Sequence, residues 1–198
     1  MKMKKSIALL ISLILVLTVT VGGTLAFLIA TSGPVENIFN PSKVTTSVDE
    51  EFEDNVKKNV SIKNTGDTTA YIRAEVVVTW QDGNGNVYGT VPVAGTDYKI
   101  TYNLDNQTNP EGKWILGSDG FYYWTNPVKS VEEDAEDCNT GILITEAKPL
   151  EAAPAEGYTL CIEILGSGIQ SLPTSVVTSE WSTGVSSVSG TTLQIKEG

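Results

Sequence analysis

Histidine is absent from all 198 residues. A Ser-His-Asp or Cys-His catalytic arrangement and an HExxH zinc site are therefore excluded. Only two cysteines occur, and without a histidine neither has a base that would make it a catalytic thiol. Carboxylate-only catalysis survives that filter, yet no pair of acids is singled out by spacing. Basic residues are scarce, 13 against 24 acids, for a net charge of −11. Three of the 13 (Lys2, Lys4 and Lys5) fall in the first 26 residues, which hold no acid. The remaining chain is thus strongly acidic, repelling nucleic acid phosphates and anionic membrane surfaces. Neither is expected as a direct partner. Amphipathic helical periodicity is also missing after residue 26, which points to an all-β fold.

What is present begins with an export signal. Met1–Lys5 is a short basic region, and Ser6–Val21 is an unbroken apolar run. Gly22-Gly23 can end a helix, and Thr24 and Ala26 place small residues at −3 and −1 of a cleavage site before Phe27. Residues 1–26 therefore read as a signal peptide, expected to form a helix, with cleavage after Ala26. An uncleaved anchor is the competing reading, because about 20 apolar residues can span a bilayer. In both cases the chain from Phe27 onward lies outside the cytoplasmic membrane, with the basic end inside. Membrane contact is expected only through the signal peptide before cleavage. Residues 27–40 then open the exported chain with Phe27, Leu28, Ile29, Val35, Ile38 and Phe39, an apolar set that needs a partner. It can pair within its own domain, or add as a strand to a neighbouring molecule.

The central stretch is NVSIKNTGDTTAYIRAEVVVTW, residues 59–80. Ala70, Ile72, Ala74, Val76, Val78 and Trp80 alternate with Tyr71, Arg73, Glu75, Val77 and Thr79, the period of a strand. Asn64-Thr65-Gly66-Asp67 is turn chemistry, so the expectation is a β-hairpin at the heart of an antiparallel domain spanning residues 41–181. Lys43–Val48 precedes it as a strand, followed by Asp49, Glu50, Glu51, Glu53 and Asp54 as a solvated acidic loop or, less favoured, a calcium site. Asp82, Asn84 and Asn86 have the 1-3-5 spacing of an EF-hand loop, but Val87 and Val93 break the pattern, leaving a hairpin turn. No cofactor is expected beyond that weak prospect of calcium.

Further on, Val91–Tyr102 reads either as an edge strand or as a loop and a strand. Lys113–Leu116 (KWIL) and Gly120–Val128 (GFYYWTNPV) read as a hairpin across the Gly117–Gly120 turn, with Phe121 and Tyr123 on one face and Tyr122 and Trp124 on the other. Core packing is the ordinary use of such aromatics; an exposed row could instead stack on a sugar. Tyr158–Leu165 alternates with Tyr158, Leu160, Ile162 and Ile164 inward. A last weak strand is expected near Val176-Val177, and residues 182–198, rich in Ser, Thr and Gly, read as a flexible tail. Cys138 and Cys161 could close a loop of about 24 residues, worth about 3 kcal/mol. Cys161 lies on the polar register of its strand, and two free thiols are the favoured expectation.

Short strands separated by turn signals imply an antiparallel β-sandwich or jelly-roll. The junction GGTLAFLIAT resembles the cleavage region of substrates of the SipW-type signal peptidase of Gram-positive bacteria. VKKNVSIKNTGDTTAYIRAEVVVTW, then GFYYW with NPV, then GYTLCIEIL, resemble the BsaA/TasA/camelysin group of SipW-dependent surface proteins over residues 1–181. The resemblance implies a secreted, non-enzymatic jelly-roll subunit of a biofilm matrix or surface fibre. Its partners would be a SipW-type peptidase and further subunits, joined by strand addition through residues 27–39. The alternative is a cell-surface adhesion module that takes a carbohydrate or host ligand on Tyr122 or Trp124.

Overall fold

The computed structural model describes residues 43–104, 112–151 and 153–197. The expected signal peptide (1–26), its cleavage residues Thr24, Ala26 and Phe27, and the segment 27–40 lie outside them.

The described chain is predominantly β, with open antiparallel sheets and one short helix. One four-stranded sheet has the order β1 (Thr46–Glu53), β2 (Val56–Asn64), β7 (Ile144–Pro149) and β4 (Tyr98–Tyr102). The other has the order β5 (Trp114–Leu116), β6 (Tyr122–Trp124), β3 (Ala70–Asp82) and β8 (Tyr158–Gln170). A short helix, α1 (Thr174–Glu180), leads into a two-stranded ribbon, β9 (Val185–Ser189) and β10 (Thr192–Ile195).

Two apolar clusters hold these pieces. The larger draws Val60, Ile62, Ile144 and Ala147 from the first sheet and Ile72, Ala74, Trp114, Trp124, Ile162 and Ile164 from the second. The alternation expected for residues 70–80 is present: Ala70, Ile72, Ala74 and Trp80 are buried, and Val76 and Val78 pack on the same cluster. The smaller cluster sits on the opposite face of β3 and β6, where Tyr71 and Tyr123 meet Val177, Trp181, Val185 and Leu193. The division of the aromatics is as the alternation demands. Tyr122 and Trp124 join the larger cluster, Phe121 and Tyr123 the smaller. Trp124 meets Trp114 edge-on at 5.6 Å.

Several expectations are corrected. Residues 59–80 are not a hairpin, because β2 and β3 belong to different sheets. The chain crosses between the sheets at Asn64–Thr69, and Asn64 pins the crossing. Its backbone N–H donates to the Cys138 carbonyl, and its side-chain amide donates to the carbonyls of Thr68 and Val128. The Gly66 N–H in turn donates to Asn64 Oδ1. Turn chemistry was legible there, but a turn does not decide which strand the next one pairs with. A second correction concerns Asp49–Glu53, which belong to β1 and not to a loop. The turn falls at Asp54-Asn55, both with positive φ (51° and 61°), a conformation that Asp and Asn tolerate and that matches hairpin twist. A third is Val176-Val177, which are helical: Val177 and Trp181, four residues apart, both bury onto the smaller cluster.

The fourth correction is the C-terminus. Residues 185–195 form an ordered hairpin in place of the expected flexible tail. Val185 and Leu193 are 2% exposed, and the Tyr71 hydroxyl donates to the Thr191 carbonyl. Sparse apolar residues suffice here, because each lands on a face already furnished with Tyr71 and Tyr123.

Candidate functional site

The two four-stranded sheets are joined differently along their two sides. On one side Tyr102 of β4 stacks on Tyr122 of β6, with ring centres 4.8 Å apart and planes 20° from parallel. On the other side lie β1 and β8, the outermost strands of their sheets. Among the described residues β1 pairs only with β2, and β8 only with β3. Each strand therefore turns a row of backbone N–H and C=O groups away from its own sheet.

These edges approach most closely where β8 carries glycines. Thr46 Oγ1 donates to the Gly166 carbonyl at 3.0 Å. A Cβ placed on Gly168 would lie 2.7 Å from the Val44 side chain, so that approach needs glycine. Towards the other ends of the two strands, a cleft of about 700 Å³ opens. Val48, Glu50 and Phe52 line it at strand spacing from β1, and the continuous run Leu160–Leu165 lines it from β8. Phe52 is 63% exposed and Leu165 51%. Such residues on an outer strand form an uncovered apolar surface.

The cleft continues into a recess of about 240 Å³ lined by Phe52, Trp80, Pro149, Tyr158 and Leu160. Tyr88 packs against Tyr158 with ring centres 5.0 Å apart. Lys57 of β2 borders both spaces and is spent on an ion pair with Glu50 Oε1. The second oxygen, Glu50 Oε2, is buried, and no hydrogen-bond donor among the described residues reaches it. A buried carboxylate oxygen without a donor is costly, so it marks a place where a donor is wanted.

The residues singled out in the sequence fall elsewhere. Trp124 is 2% exposed and Tyr122 is engaged with Tyr102, so neither offers a ring for sugar stacking. Both cysteines are free thiols. Cys138 is buried, with its Sγ donating to the Ala135 carbonyl at 3.2 Å. Cys161 lies on the cleft side of β8, and burial together with the Glu163 carboxylate raises its thiol pKa, which disfavours a reactive thiolate. Asp82 is consumed by its own turn, accepting from the N–H groups of Asn84 and Asn86 and from the Asn86 amide. Asp82–Asn86 is the hairpin turn expected there, and Gln81 bridges to Val87 across it. Among the described residues no group of three His, Cys, Asp or Glu converges as a metal site.

The cleft itself went unread in the sequence. Its one signal was the spacing of Val48, Glu50 and Phe52, which continues the expected strand into what looked like an acidic loop. No protein-family model, curated protein or solved structure matches this chain.

Proposed function

We propose that this protein is an exported, non-enzymatic structural subunit, of a biofilm matrix or surface fibre, that assembles by strand addition. The reading takes the two four-stranded sheets and their shared core as a jelly-roll β-sandwich. Residues 1–26 direct export and are removed after Ala26 by a signal peptidase of SipW type. Phe27, Leu28, Ile29, Val35, Ile38 and Phe39 then belong to a donor strand that a neighbouring copy accepts.

One observation carries the reading: among the described residues β1 and β8 are both unpaired on their outer sides, and an apolar cleft lies between them. An added strand gains main-chain hydrogen bonds from such an edge and specificity from alternate side chains entering the cleft. The acidic surface suits a protein that must stay soluble before assembly. The carbohydrate-binding alternative loses its platform with the burial of Trp124.

Protein beginning at Phe27 is compared by electron microscopy with protein lacking residues 27–39. Filaments are expected from the first and none from the second. Monomers from both at all concentrations would overturn the proposal.

A further inference from the structure

The wide end of the cleft has a chemistry more specific than an apolar edge. The recess is walled by three aromatic side chains, Phe52, Trp80 and Tyr158. At about 240 Å³ it falls below the roughly 300–1,000 Å³ of a drug-sized ligand pocket. It suits one side chain with a ring. Beside it, sharing Phe52 and Lys57 as lining, stands Glu50 with its undonated oxygen, and Glu151 borders the recess as well. Among the described residues the only cation lining either space is Lys57, already paired with Glu50 Oε1. The site thus presents an aromatic wall and surplus negative charge next to each other. Its complement is an aromatic group bonded close to a cation.

We propose that this site captures the mature amino terminus of a second copy. The Phe27 ring enters the recess, and its α-ammonium donates to Glu50 Oε2. This rests on the strand-addition reading and on cleavage after Ala26, which makes Phe27 both aromatic and cationic. An α-amino group has an ordinary pKa of about 7.7–8.0, so most of it is charged at neutral pH. Charge also selects within the segment. Phe27–Thr31 contains no acid, whereas Val35–Phe39 contains Glu36, which would bring a carboxylate towards Glu50. The uncharged end is therefore the one that enters at the socket, and Leu28 and Ile29 extend along the cleft towards Val48 and Ile164.

A consequence is regulatory. Before cleavage the residue ahead of Phe27 is Ala26 in amide linkage, with no cation to offer. Removal of the signal peptide creates the group that Glu50 receives. Processing and assembly become one event.

The test uses the mature chain, Phe27–Gly198, and measures the critical concentration for filament formation by light scattering. Four samples are compared with it: the same chain with its α-amino group acetylated, Phe27→Ala, Glu50→Gln, and Glu51→Gln. Glu51 is the adjacent residue of β1, turned to the other face. Acetylation, Phe27→Ala and Glu50→Gln are each expected to raise the critical concentration about tenfold or more, the scale of one charge-assisted hydrogen bond or one buried ring. Glu51→Gln is expected to leave it within twofold. The acetylated chain has an unchanged sequence, so its result stands apart from any folding defect of the variants. Unchanged critical concentrations for the acetylated chain and Glu50→Gln would overturn the capture of the amino terminus. Strand addition would still stand if deleting residues 27–39 abolishes filaments. Filaments that persist after that deletion would overturn both.

Discussion

The guanidinium carbon of Arg73 lies 4.0 Å from the centre of the Phe121 ring and 4.9 Å from that of Trp181. Arg73 is the only arginine in the chain, and this contact ties β3 to Phe121 ahead of β6 and to Trp181 at the end of α1. Its Nε donates to Ser167 Oγ at 3.2 Å, which fixes the plane of the group between the rings. A planar cation on two aromatic faces is a role that lysine cannot copy. Arg73→Lys is expected to lower unfolding stability in urea by about 1–2 kcal/mol. A lysine variant as stable as the parent would show that the stacking contributes nothing.

Acid should loosen the same region. Burial raises the Asp119 carboxyl pKa, but hydrogen bonds from the Tyr123 hydroxyl, Thr183 and the Phe121 N–H outweigh it and hold the carboxyl below its ordinary range. Glu133 is likewise held low, by the Ser130 N–H and the Thr69 hydroxyl. Both groups have a folded pKa below the unfolded one. Their stabilisation is complete above the ordinary carboxylate values of about 4 and is lost as pH falls through the lowered ones. Thermal midpoints followed from pH 7 to pH 2 should therefore drop below about pH 4. The drop should be shallower in the double variant Asp119→Asn, Glu133→Gln. Equal slopes for the two proteins would refute this assignment.

Truncation after Thr183 tests the C-terminal hairpin. It removes Val185 and Leu193, each 2% exposed, and leaves Tyr71 and Tyr123 uncovered. Burial of one such aliphatic side chain is worth about 1.5–3 kcal/mol. A loss of several kcal/mol and new binding of a hydrophobic dye are expected. A truncated chain that melts with the parent would mean that the hairpin rests on the domain without supporting it.

The strands were legible where a long stretch obeyed one period. Residues 70–80 did so, and Ala70, Ile72, Ala74 and Trp80 of their inward set are buried; so did residues 158–165, where Ile162 and Ile164 are buried. The aromatic hairpin was legible too, because Gly117–Gly120 separates two short runs whose residues pair as Trp114 with Trp124 and Leu116 with Tyr122. What stayed hidden was pairing over distance. Nothing in Asn64-Thr65-Gly66-Asp67 tells that Asn64 answers to Cys138 and Val128, so a crossing between sheets looked like a hairpin. The cleft was hidden for a related reason. Its walls come from β1 and β8, which are far apart in sequence, and an unpaired edge becomes visible only once every other pairing is known. The C-terminal hairpin failed on composition, since Ser, Thr and Gly dilute a pattern that Val185, Val188, Leu193 and Ile195 still carry.

The register of β3 with β8 has a consequence in time. Ala70 pairs with Gln170 and Asp82 with Tyr158, so this ladder forms only after nearly all the intervening chain has been made. Folds ruled by such distant pairs have high contact order and fold in milliseconds to seconds, slowly for their size. β8 cannot present its outer edge until β3 has taken up its inner one. In strand addition, the donor segment would be synthesised early, and of the two acceptor edges β8 comes long after β1. On the strand-addition reading, a chain not yet extended to Tyr158 carries the donor segment without the β8 edge that helps to receive it.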